Sequence, residues 1–131
     1  MVKISNLESV IESRDAETFQ EALDCLKGSK NAALLLSSVL PEDWHESHED
    51  IVFDLGLAGN PDTVEAIAQA VVIPFQYLVE WGNLQEFQRK CTYALAKIGT
   101  EQSRLALVSL SENSDPHIRE YAQEGLSKWP L

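Results

Sequence analysis

Apolar residues recur three or four positions apart along nearly the whole chain, the spacing of helices with one buried face. Ser5 with Glu8 reads as a capping box and starts a short helix. Phe19, Leu23 and Leu26 mark a face over 16–27, which Asp15 would cap and Gly28 would end. Ala33, Leu36, Val39 and Leu40 mark the next over 31–40, stopped by Pro41. The stretch 42–57 carries Trp44, Ile51, Phe53, Leu55 and Leu57 and ends near Gly59. Asn60-Pro61 restarts a helix, with Asn as N-cap and Pro at the first helical position, and Val64, Ile67, Ala68 and Val71 as its apolar side. Pro74 either kinks that helix or ends it. The apolar stretch 75–81 ends at Gly82-Asn83. A helix over 85–98 (Phe87, Cys91, Ala94, Leu95, Ile98) stops at Gly99, and another spans 102–110. Asp115-Pro116 opens the last, with Ile118, Tyr121, Ala122, Leu126 and Trp129, and Pro130 stops it. Apart from the ambiguous run Val71-Val72-Ile73, no strand-like alternation occurs, so the expected class is all-α.

The pattern repeats. At an offset of 31, Phe87 falls on Ile118, Cys91 on Ala122, Ala94 on Gly125, Leu95 on Leu126 and Ile98 on Trp129. At the same offset Gly28, Ala33, Leu36 and Val39 fall on Gly59, Val64, Ile67 and Ala70. At an offset of 40, Ile51, Leu55 and Gly59 fall on Cys91, Leu95 and Gly99. The extra nine residues match the segment around Val72 to Trp81. Self-similarity at such periods, with breakers at the joints, marks stacked helical hairpins.

The stretches Cys91-Thr92-Tyr93-Ala94-Leu95-Ala96-Lys97-Ile98-Gly99 and Ser114-Asp115-Pro116-His117-Ile118-Arg119 resemble helix-turn-helix units of HEAT-repeat proteins, of the short, lyase-like variety. The likeness covers roughly residues 15–130, and in the first unit Asp24 stands where later units have Leu55 or Leu95. It implies a right-handed α-solenoid of about four short hairpins in a single domain over 1–131. The units are 15–41, 42–82, 83–113 and 114–131 (the last a terminal cap), with 1–14 as an N-terminal capping helix. More narrowly, His48-Glu49, Lys90 to Leu95 and Leu126-Ser127-Lys128-Trp129 resemble small stand-alone bacterial HEAT proteins, some of which are suspected antidotes to secreted toxins. The scaffold serves mostly as a binding surface, so the resemblance implies little about the particular function.

Charge sharpens the picture. The chain has 21 acids against 10 Lys+Arg, a net charge of -11. Between Asn31 and Gln88 there are ten acids and no Lys or Arg, while the flanks are nearly balanced. A concentrated acidic segment speaks against nucleic acid and anionic membranes as partners. It reads either as a solvated face that keeps the chain soluble or as a docking face for a basic partner. No apolar run reaches about 18 residues, so no membrane span is expected. Two cysteines and an N-terminus without a signal layout lead us to expect a cytoplasmic protein.

Chemistry-bearing groups are few. His45-Glu46-Ser47-His48-Glu49 is the one dense titratable cluster, but its two His are three apart, not the four of the zinc-protease helix. The cluster is expected to be a solvated acidic helix start, with metal ligation by His45 and His48 as the alternative. HEAT-like hydroxylases hold two irons with His-Glu pairs on separate repeats; here the matching positions are Gln88-Arg89 and Arg119-Glu120. Cys91 lies on the apolar register and is expected to be a buried structural thiol, and His117 is expected to be exposed. No catalytic residue, metal or cofactor is assigned. The segment 71–81 breaks the repeat period and is rich in aromatics; it either completes the core or forms part of a binding side.

The expected function is therefore a protein-binding HEAT module, most concretely an immunity protein that neutralises a basic, nuclease-type toxin. Glu42, Asp43, Glu46, Glu49, Asp50 and Asp54 would steer and pair with the partner. Tyr77 and Trp81 would anchor it. The alternatives are a lyase- or hydroxylase-type enzyme or subunit using the His cluster or a cysteine, and a general assembly adaptor.

Overall fold

The computed structural model describes residues 4–26 and 29–131, and the side chains from residue 6 onward. The Ser5 side chain and Gly28, expected as a cap and a stop, lie outside the described residues. The described residues form helices joined by turns and loops, without a strand. The α-helices are α1 (Ile4–Ser13), α2 (Ala16–Asp24), α3 (Ala33–Val39), α4 (His48–Ala58), α5 (Val64–Val71), α6 (Gln76–Glu80), α7 (Leu84–Ile98), α8 (Glu101–Leu110) and α9 (Pro116–Lys128). Short 3-10 turns, Lys30–Ala32 and Pro61–Thr63, lead into α3 and α5.

The joints follow local rules. Asp15 accepts from the Thr18 amide at 3.0 Å, Asn60 from Asp62 at 2.8 Å and Asp115 from His117 at 2.8 Å, each satisfying an amide with no partner inside its helix. Thr100 and Ser103 exchange bonds as a capping box. Gly59 and Gly99 end α4 and α7 at φ 69°, a conformation that glycine adopts without steric cost. Pro74 ends α5 rather than kinking it, since Val72 to Phe75 are non-helical before α6 begins.

Helix α7 is the hub: α4 packs on one side of it and α9 on the other, while α5 and α8 lie against it as a second layer. Helix α3 reaches both α4 and α5. The contacts form one core in which Phe19, Leu36, Ile51, Leu55, Ile67, Leu78, Phe87, Leu95 and Leu107 are essentially solvent-free. Small residues set the crossings. A Cβ on Gly56 of α4 would stand 3.4 Å from Ala94 of α7. One on Gly125 of α9 would stand 3.1 Å from the Thr92 carbonyl of α7 and 3.0 Å from Leu107. Among the described residues no helix is long and apolar enough to cross a membrane.

One expected helix is shortened. Residues 41–47 are irregular, and α4 begins only at His48. The chain instead turns inward and buries His45 and Ser47.

Candidate partner-binding surface

That inward turn builds the most unusual feature of the molecule. The Phe19 ring meets Trp44 edge-on at 5.3 Å and His45 at 5.2 Å. His45 stacks on His48 at 4.2 Å, His48 lies on Phe75 at 3.8 Å, and Phe75 meets Phe87 at 5.7 Å. The ladder ties α2, the 41–47 loop, α4, α6 and α7 together. Every ring nitrogen in it is engaged. His45 Nε2–H donates to the Val39 carbonyl at 2.8 Å, and its Nδ1 accepts from the Ser47 amide at 3.1 Å. His48 Nε2–H donates to the Glu42 carbonyl at 2.7 Å, and its Nδ1 accepts from the Tyr77 hydroxyl at 2.7 Å. Carbonyl acceptors on one nitrogen and donors on the other fix both rings in the neutral form.

Both imidazoles are fully buried, which corrects the expectation of a solvated acidic helix start at His45 and His48. The physical reason is aromatic packing: in rings sandwiched by Phe19 and Phe75, the imidazoles act as flat core groups whose polar edges reach backbone carbonyls. Burial lowers the pKa of His45, and it lowers that of His48 to about 4, with His45 adding to the effect. Burial likewise pushes the Tyr77 phenol up to about 12, with Glu49, Glu46 and Asp50 adding to the shift. Metal ligation by either ring would require giving up one of these bonds. Among the described residues no group of three His, Cys, Asp or Glu is arranged to hold a metal ion.

The acids that surround this plug do not behave as a uniform face. Glu42 accepts from the Trp44 indole N–H at 2.8 Å. Asp50 accepts from the Gln20 amide at 2.9 Å. Glu49 is paired with Lys90 of α7 at 2.7 Å. Asp54 is only 4% exposed, so it does not stand on the open face assigned to it. Helix α4 is packed by α3 and α7, which leaves water only the narrow stripe Asp50, Phe53 and Leu57 and turns the 54 position inward. Asp43 and Glu46 are the two expected acids that stand open without a side-chain partner given above.

Those two acids rim a cleft of about 270 Å³ between the 41–47 loop and α6, lined also by His48, Phe75, Gln76, Tyr77 and Glu80. Glu80, held by the Gln76 amide at 3.0 Å, closes the far side. It was not among the expected site residues, although its place three residues after Tyr77 and next to Trp81 puts it on the same helical turn. No Lys or Arg lines this cleft. Of the expected anchors, Tyr77 is half-buried and committed to His48. Trp81 is 60% exposed, with its ring edge-on to Tyr77 at 5.1 Å. Phe75 and Leu78 of the same segment belong to the core. An adjoining groove lined by Arg14, Pro41, Trp44, Ile73 and Pro74 shares Asp43, Phe75 and Gln76 with the cleft.

The cysteines offer no counterpart. Cys91 is fully buried, and desolvation pushes its thiol well above the usual range. Cys25 is free and exposed. Arg89 and Tyr93 of α7 both reach Glu124 of α9, a cross-link between packed helices.

Comparison with known proteins returned nothing: no family model, no curated protein and no solved structure matches the chain.

Proposed function

We propose that the protein is a protein-binding module of the HEAT type that takes a basic partner at the cleft between the 41–47 loop and α6. The carrying observation is the cleft itself, in which Asp43, Glu46 and Glu80 surround an aromatic floor with no cation among the lining residues. The exposed Trp81 stands beside it. Three carboxylates in a cleft lined by no Lys or Arg steer a cationic surface at long range. A neighbouring tryptophan supplies the apolar contact that turns an encounter into a complex. The burial of the His45–His48 stack gives the cleft a rigid back wall, so little is lost in ordering on binding.

The packing of α4 on α7 and of α5 on α8, together with glycine stops at the equivalent joints Gly59 and Gly99, agrees with the solenoid reading of this fold. The most concrete partner is a basic toxin domain of nuclease type, whose nucleic-acid site the carboxylates would cover. Co-expression with the product of the adjacent reading frame tests this. Rescued growth and a complex recovered at low salt and weakened by Glu46→Lys are expected. A harmless neighbour that forms no complex would remove the antidote reading in favour of a general adaptor.

A further inference from the structure

A second surface lies along α4. Between α4 and α7 runs an open groove of about 380 Å³ that shares no lining residue with the acidic cleft. Its floor exists because two small residues meet there: the Gly56 Cα faces Ala94, and a Cβ on it would stand only 3.4 Å away. The missing side chains leave a trough with Phe53 and Leu57 along the α4 wall and Tyr93 and Lys97 along the α7 wall. Phe53 is 61% exposed and Leu57 41%, so one helical turn offers two large apolar side chains to water. The ion pair of Glu49 with Lys90 closes one end. Leu131 lies against the groove and adds a third exposed apolar group.

The walls differ in charge. Asp50, held in place by Gln20, stands on the α4 edge, and the exposed Lys97 stands on the α7 edge. From Glu49 to Leu57 the trough is about 12 Å long at 1.5 Å per helical residue. That matches roughly two turns of a docked helix. We infer that this groove receives an amphipathic helix from a partner protein, its apolar row seated between Phe53 and Tyr93, a basic residue beside Asp50 and an acidic residue beside Lys97. The i, i+4, i+7 spacing of such a helix is the mode by which a groove reads an apolar stripe. A second copy of the chain is the poorer fit. Each copy carries a net charge of -11, so two copies repel one another as they approach.

The inference is independent of the acidic cleft, and its test keeps the two apart. A display library of helical twelve-residue peptides is selected against the full chain, and the enriched sequences are measured by fluorescence anisotropy. Enriched peptides should carry apolar residues at i, i+4 and i+7 with a basic flank on one side and an acidic flank on the other. Phe53→Asp, a change at an exposed position, should weaken them by about tenfold or more, and Glu46→Lys by less than about twofold. Lys97→Glu should shift selection toward peptides with a basic residue on that flank. Helix content by circular dichroism confirms that each variant folds. The inference is overturned if no helical pattern is enriched, if Phe53→Asp binds the enriched peptides as well as the parent chain, or if the chain is a dimer in solution that Phe53→Asp makes monomeric.

Discussion

The buried imidazole pair makes stability depend on pH in a defined window. Unfolded, a histidine titrates near 6.5. In the folded chain, desolvation brings His48 down to about 4, and His45 moves in the same direction. Between those values the unfolded chain holds more protons than the folded one, so stability rises with pH. The contribution is fully present above about pH 6.5 and is lost as pH falls toward about 4. From pH 7 to pH 5 the loss from His48 alone is about 2 kcal/mol. The carboxylates whose pKa values lie below their ordinary 3.8 to 4.5, those of Asp15, Glu101 and Glu124, act below this window. Urea unfolding followed by circular dichroism at pH 7, 6 and 5 measures the slope. His48→Gln, which cannot titrate, should lower stability at pH 7 but flatten the fall between pH 7 and 5 by about 2 kcal/mol. Equal slopes in the two proteins, or an NMR titration that places the folded His48 near 6.5, would refute the reasoning.

Three further outcomes follow from the packing. Gly125→Ala would push a Cβ to 3.1 Å from the Thr92 carbonyl, and should destabilise by about 1–3 kcal/mol in thermal melts. Gly56→Ala meets Ala94 at 3.4 Å and gains helix propensity, so its effect should stay within about 1 kcal/mol. Tyr77→Phe removes the hydroxyl that donates to His48 Nδ1 and should cost about 1–2 kcal/mol in urea unfolding. A thiol reagent should modify Cys25 in the native chain, and Cys91 only when denaturant is added, because Cys91 is wholly enclosed.

Helix positions were legible because their signals are local. Asp15, Asn60 and Asp115 cap the helices that follow them, and Gly59 and Gly99 end theirs, all readable from one or two residues. The 41–47 loop was not legible. Its acids fit a helix start, and what displaces that helix is the long-range packing of Phe19, Phe75 and Phe87 around two imidazoles. No spacing within the loop records those partners. The same limit explains the acidic face. Asp50 and Asp54 share a side at i, i+4, but α3 and α7 together bury so wide an arc of α4 that only Asp50 reaches water. Trp81 and Tyr77 came from an aromatic-rich segment that breaks the repeat period, a signal that separated neither the exposed ring from the committed one nor Glu80 from the other acids.

The role of the acidic cleft is tested most directly by association kinetics with the basic partner recovered from co-expression, measured from about 50 to 500 mM salt. The wild-type on-rate should fall steeply with salt, and a chain carrying Asp43→Lys, Glu46→Lys and Glu80→Lys should associate more slowly with a flattened dependence. An on-rate and salt slope unchanged by the triple reversal would mean that the cleft only keeps the surface soluble, and would contradict its role as the docking site.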